Sequence, residues 1–139
     1  MRFKPCLTPD DVLAIAAACK VEGARIGRQG TIAIVDGGGV LLYLERPEHN
    51  PVTAVDMAWM KARTAAVRAR PSATFEERVK TRPGFLLVPH TLAIEGDIPL
   101  IIDGESIGGV GVSGIDNDDE KVAIAGAAWF DQFVKSPQK

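Results

Sequence analysis

The chain has 139 residues, 46% of them hydrophobic, which suits one domain (1–139) with a substantial core. Its 16 basic and 18 acidic residues leave a net charge of -2, with no basic run to follow a phosphate backbone, so nucleic acid is not an expected partner. The N-terminus "MRFKPCLTPDD" lacks an apolar signal core and the alanine-rich run from Val12 to Cys19 is too short to cross a bilayer, so the sequence reads as soluble and cytoplasmic, with no membrane partner.

Thr8 is placed to cap a first helix, with Pro9 at its first position and acids in its first turn, where unpaired N–H groups and the helix dipole favour them. Gly27 or Gly30 would end it. "TIAIVD" at 31–36 and "VLLYLER" from Val40 read as two strands around Gly37, Gly38 and Gly39, hence a hairpin. In "PVTAVDMAWMKARTAAVRAR" the residues Val55, Ala58, Trp59, Ala62 and Ala65 or Ala66 recur at helical spacing and give one apolar stripe for a sheet, with Pro71 as the stop. A short helix follows around "SATFEERV", capped by Ser72 or Thr74. From Arg82 to Gly96, Pro83, Gly84 and Pro89 break an apolar segment into loop with room for one short strand.

"IPLIIDGESIGGVGVSG" is a second hairpin turning at Asp103-Gly104. Its second strand is thinned by Gly108, Gly109 and Gly111, which suits a strand that something approaches closely. Asn117 or Asp118 caps the terminal helix. Helix, hairpin, helix, hairpin, helix points to an α+β fold of about five antiparallel strands covered by helices, because such tight connections exclude parallel crossovers. Cys6 and Cys19 lack CxxC spacing and read as small buried or half-buried thiols.

The segments "TIAIVDGGGVLLYLER", "AVDMAWMKARTAA", "GDIPLIIDGESIGGVGVSG" and "DDEKVAIAGAAWF", in this order, resemble the GlcG/HbpS-like haem-degrading family, which includes the C-terminal domain of PduO-type cobalamin adenosyltransferases. The resemblance runs from about Leu7 to Phe130. Its most specific pieces are Lys-Ala-Arg-Thr-Ala from Lys61 and Gly-Val-Ser-Gly from Gly111. It implies a profilin-like fold, a homo-oligomer, and members that bind haem or related tetrapyrroles. Other members are associated with glycolate-utilisation or nitroaromatic catabolic genes, and hydroxylaminobenzoate lyases look similar. One departure stands at Gly96-Asp97-Ile98-Pro99, where the family's Gly-Gly-x-Pro acquires an acidic side chain at the rim.

The leading reading is a small-ligand-binding protein for haem or another anionic planar aromatic molecule; the alternatives are a lyase acting on a hydroxylamino-aromatic acid and a structural accessory subunit. His49 and His90 are the only imidazoles, so one protomer holds no histidine-rich metal centre, but a haem iron needs one strong ligand. His90, in an apolar stretch, is preferred to the loop residue His49, and its near-neutral pKa also suits acid–base work. Glu45 is the other candidate proton carrier. Alternation along "LLYLER" sets Leu42, Leu44 and Arg46 on one face and Leu41, Tyr43 and Glu45 on the other, so Arg46 ends an apolar row and, with Lys61 on the next helix, forms a candidate carboxylate clamp. Asp36, a turn former by position, and Gly111 and Ser113, on the glycine-rich strand, complete the ligand-binding set. The alternative for each charge is a solvated surface group.

Overall fold

The computed structural model describes residues 1–135. Helix α1 (Pro9–Ile26) begins at a reciprocal capping box in which Thr8 Oγ1 accepts from Asp11 N and the Asp11 carboxylate accepts from Thr8 N. It ends at Gly27, whose φ of 75° is left-handed and costs a residue without Cβ nothing. Strands β1 (Thr31–Asp36) and β2 (Leu41–Glu45) form the first hairpin, and β3 (Asp97–Ile102) and β4 (Glu105–Ser113) the second. Asp103 and Gly104 both take positive φ, 50° and 79°, as a two-residue turn between twisted strands demands. β1 and β4 pair antiparallel, so the sheet has the order β2-β1-β4-β3.

Among the described residues the expected strand count of about five is therefore corrected to four. Residues between Arg82 and Gly96 contribute a 3-10 turn (Pro83–Leu87) and irregular backbone, because Pro83 and Pro89 remove the N–H groups a ladder would use.

The sheet's two faces are packed by different means. On one, α1 and α4 (Asp119–Lys135) lay Val12, Ile15, Val122 and Phe130 over Ile32, Ile34, Val110 and Val112, an ordinary core of large side chains. On the other, α2 (Thr53–Arg68) presses Ala58, Ala62 and Ala66 against Ala33 and Val35. A Cβ on Gly111 would stand 2.2 Å from Ala58 O, and one on Gly109 2.3 Å from Ala62 O, so what approaches the glycine-rich strand so closely is this helix's main chain. Trp59, expected in the stripe, is 38% exposed and donates its indole N–H to Gly39 O.

Helix α3 (Ser72–Thr81) has no cap from Ser72 or Thr74; Ser72 N instead donates to Asp97 Oδ1 at 2.7 Å. Likewise α4 is preceded by a 3-10 turn (Asp116–Asp118), and Asp119, rather than Asn117 or Asp118, takes the orphan N–H of Ile115. Cys6 is exposed, whereas Cys19 is buried against Gly126 and its thiol is pushed up to about 12 by desolvation. Among the described residues no helix is long and apolar enough to cross a membrane.

Candidate functional site

Pairing across the sheet sets Leu44, Ala33, Gly111 and Asp97 in one row facing α2, with Thr31 opposite Ser113 one step further. At that end of the sheet α2, α3 and the start of α4 surround a cleft of about 370 Å3 whose wall includes Met57, Lys61, Glu76, Glu95, Ser113 and Asp119. Lys61 shares its helix face with the buried alanines and is itself 1% exposed. Its ammonium donates to Asp119 Oδ2 and to Val112 O, both at 3.0 Å. An alanine stripe interrupted by lysine implies such a counter-ion, because a buried cation without a partner costs several kcal/mol.

Gly96, with φ 126°, lies against this ammonium, a Cβ there meeting Lys61 Nζ at 2.9 Å. Asp97 does not stand at a rim. It is fully buried, and burial pushes its carboxyl up to about 7, only partly offset by hydrogen bonding to Ser72 and by the charge of Lys61. Glu76 Oε2 accepts from Glu95 N, and the Glu120 carboxyl is raised, by burial first and by the neighbouring acids Glu95 and Glu76 second. Among the described residues no group of acids, histidines and cysteines is arranged to hold a metal ion.

Arg46 Nη1 donates to Asn50 O at 2.7 Å, and Asn50 Nδ2 is held by Thr31 Oγ1 and Ser113 O. The charge at the end of "LLYLER" therefore secures the loop that brings Pro51 to the cleft. Lys61 and Ser113 share one cleft; Arg46 stands behind Asn50, and both cations of the expected clamp already have partners. Glu45 lies on the opposite face, where Tyr43 Oη and Lys20 hold its carboxyl below the usual carboxylate range. Asp36, at the far end of β1, accepts from Gly38 N and Val40 N and shapes its own turn. Gly111 is spent on the contact with α2.

His90 and His49 are exposed, His90 at a φ of 57° in the loop after the 3-10 turn. That turn carries a second feature. Phe75 of α3 and Phe85 meet edge to face at 6.0 Å, and three guanidiniums lie over the pair: Arg68 3.9 Å from the Phe75 centroid, Arg78 and Arg82 4.5 and 5.0 Å from that of Phe85. Burial and the charges of Arg70 and Arg78 depress the Arg68 pKa, the mark of a crowded basic patch. Arg82, Gly84, Phe85 and Val88 line an open groove of about 420 Å3 beside exposed Leu86 and Leu87. The sequence signal for it was the spacing of Arg78, Arg82 and Phe85, visible only once 72–88 is known to fold as helix and 3-10 turn.

Residues 7–128 match the model of a family described as haem degrading protein HbpS-like. Protein GlcG of Escherichia coli (strain K12) is 38% identical over 114 residues, covering 81% of this chain and 85% of GlcG. The crystal structure of a double mutant of Streptomyces reticuli HbpS superposes with a TM-score of 0.86 at 29% identity, covering 92% of this chain and 89% of that one. A PduOC:haem complex has the same fold, with a TM-score of 0.82 at 21% identity over 90% of this chain and 95% of that one.

Proposed function

The chain belongs to the haem degrading protein HbpS-like family, and from that premise we propose that it binds haem or a similarly anionic, planar tetrapyrrole in the groove at the 3-10 turn that follows α3. The carrying observation is the arginine–phenylalanine patch: Arg78 and Arg82 over Phe85, beside an open groove to which Phe85 and Val88 give an apolar wall. A flat aromatic ligand with carboxylates needs these two things together, an apolar face for its ring and guanidiniums that grip carboxylate oxygens in pairs. His90 follows Val88 by two residues and is the nearest imidazole along the chain, so it is the iron ligand in this reading. The chain's residues supply binding and orientation, and the redox chemistry is the haem's own.

This placement moves the anionic ligand away from Lys61 and Arg46. The Lys61 cleft is lined by Glu76, Glu95, Asp116 and Asp119, which repel propionates. The lyase alternative needed Arg46 or Lys61 for its substrate carboxylate, and their bonds to Asn50 and Asp119 leave it second.

Haemin titration followed at the Soret band tests the proposal. Saturation near one equivalent is expected, with loss of the band shift in His90→Ala and weakening on the order of tenfold in Arg82→Ala, the scale of one hydrogen bond to a charged group. Absorbance that rises without saturating, or a spectrum unchanged in His90→Ala, would overturn it.

A further inference from the structure

Filling the groove leaves part of the same loop uncovered. Leu86, Leu87 and Val88 follow one another at the end of the 3-10 turn and are 63%, 84% and 39% exposed. Of these only Val88 belongs to the groove wall, so a bound ligand would still leave both leucines to water. Three consecutive exposed apolar residues are unfavourable on a water-facing loop unless something takes them up. The turn that carries them is fixed: Phe85 N donates to Arg82 O and Val88 N to Phe85 O, and the Phe85 ring rests edge to face on the buried Phe75. The leucines therefore stand on an anchored turn. Charge is segregated toward the same place. Between residues 68 and 88 five cations stand against two acids, a local net of +3, whereas the whole chain carries -2 and the remainder therefore -5. The exposed Arg78 and Arg82 lie 4.5 and 5.0 Å from the Phe85 centroid, so two guanidiniums flank the ring that immediately precedes the leucines.

We propose that this turn docks the chain onto an anionic lipid surface, with Leu86 and Leu87 entering the boundary between headgroups and acyl chains and Arg78 and Arg82 meeting the negative headgroups. Apolar side chains backed by cations hold a protein at a membrane interface because burial and electrostatic attraction add there. The acidic remainder of the chain is repelled by the same surface, which turns the basic patch toward it. Charge complementarity selects this occupant over two others. A second copy meeting the patch about a two-fold axis would set Arg78 and Arg82 against their own equivalents, and like charges repel. Nucleic acid would answer the guanidiniums but offers two adjacent leucines nothing to be buried in. The expectation of no membrane partner rested on the lack of a spanning segment, and this contact needs none: among the described residues no helix can cross a bilayer, while the leucines enter only its interface. The docking requires neither haem nor His90.

Flotation of the haem-free protein with vesicles of equimolar phosphatidylcholine and phosphatidylglycerol, beside vesicles of phosphatidylcholine alone, is the test. Binding to the anionic vesicles is expected to be roughly thirtyfold tighter, the share of two arginines near a negative surface, and to weaken as salt is raised. The double variant Leu86→Ser/Leu87→Ser should bind the anionic vesicles more weakly by about tenfold or more, since two apolar side chains no longer leave water, and should titrate with haemin as the wild type does. His90→Ala should float like the wild type, so a failed haem reading leaves the docking standing. Absence of binding to the anionic vesicles, equal binding to the two compositions, or binding undiminished in the folded double variant overturns the proposal. So does light scattering in which the double variant dissolves an oligomer that the wild type forms, because the leucines then belong to a second copy.

Discussion

Replacing Asp97 by Asn should remove a pH dependence of stability that one buried carboxyl imposes on the fold. Asp97 ionises near its ordinary value of 3.8 in the unfolded chain and near 7 in the folded one. Between these two values the folded state keeps a proton that the unfolded state has released, so stability from this group is complete below pH 4 and is lost as pH rises through 7. The span of roughly three pKa units corresponds to about 4 kcal/mol. Glu120, also raised by burial and by Glu95 and Glu76, tilts the curve the same way, while Glu45, lowered by Tyr43 and Lys20, tilts it the other. The difference between variant and wild type isolates Asp97, because the other groups are common to both. Asn keeps an oxygen for Ser72 N and carries no charge. Urea midpoints measured from pH 4.5 to 8 at constant ionic strength should show near-equal stability at the acid end and a growing advantage for Asp97→Asn, up to about 4 kcal/mol, by pH 8. Parallel curves, or an advantage confined to low pH, would refute both the burial and the sign.

Gly111→Ala should destabilise by about 3 kcal/mol or more, because the new Cβ meets main-chain atoms of α2 that cannot rotate aside; Gly84→Ala, which meets nothing within 4 Å, is the control, and equal urea midpoints for the two would disprove the close approach. Trp129 and Phe133 stack at 5.4 Å, with Phe133 43% exposed, and such a surface suits burial between subunits. Light scattering at micromolar concentration is expected to report an even-numbered homo-oligomer, and a monomer would remove that expectation.

Local signals carried most of the fold. Thr8, Pro9 and Asp11 announce α1, and Asp103-Gly104 fixes the second hairpin, because each involves only neighbours in sequence. The closure of β1 onto β4 is not local, although the match of Ala33 and Val35 with Gly111 and Gly109 is what permits it. The fifth strand failed for a local reason, Pro83 at the start of the 3-10 turn and Pro89 just after it. The site was less legible. Lys61 and Ser113 stood out through their motifs and do line one cleft, but the partner that defines the chemistry of Lys61 is Asp119, 58 positions on, and the carboxyl that feels its charge is Asp97, across the sheet from Gly111. Carboxylates at helix starts read as caps. That reading chose Asn117 or Asp118, whereas Asp119 accepts from Ile115 N with one oxygen and binds Lys61 with the other.

The contact between α2 and the glycine face also sets how the chain tolerates insertion and deletion. On the α1 and α4 side, large side chains can exchange volume among themselves, so a lost methylene here is met by repacking there. Under α2 there is main chain against main chain, and nothing is available to trade. Adding or removing one residue between Thr53 and Ala58 would turn the rest of the helix by about 100°. That would bring a bulkier side chain down onto Gly111 and swing Lys61 away from Asp119 in the same movement. The length of this half-helix is thus locked to the ion pair it delivers, and variation in the chain's length belongs at its loops, of which the stretch from Arg82 to Gly96 is the longest.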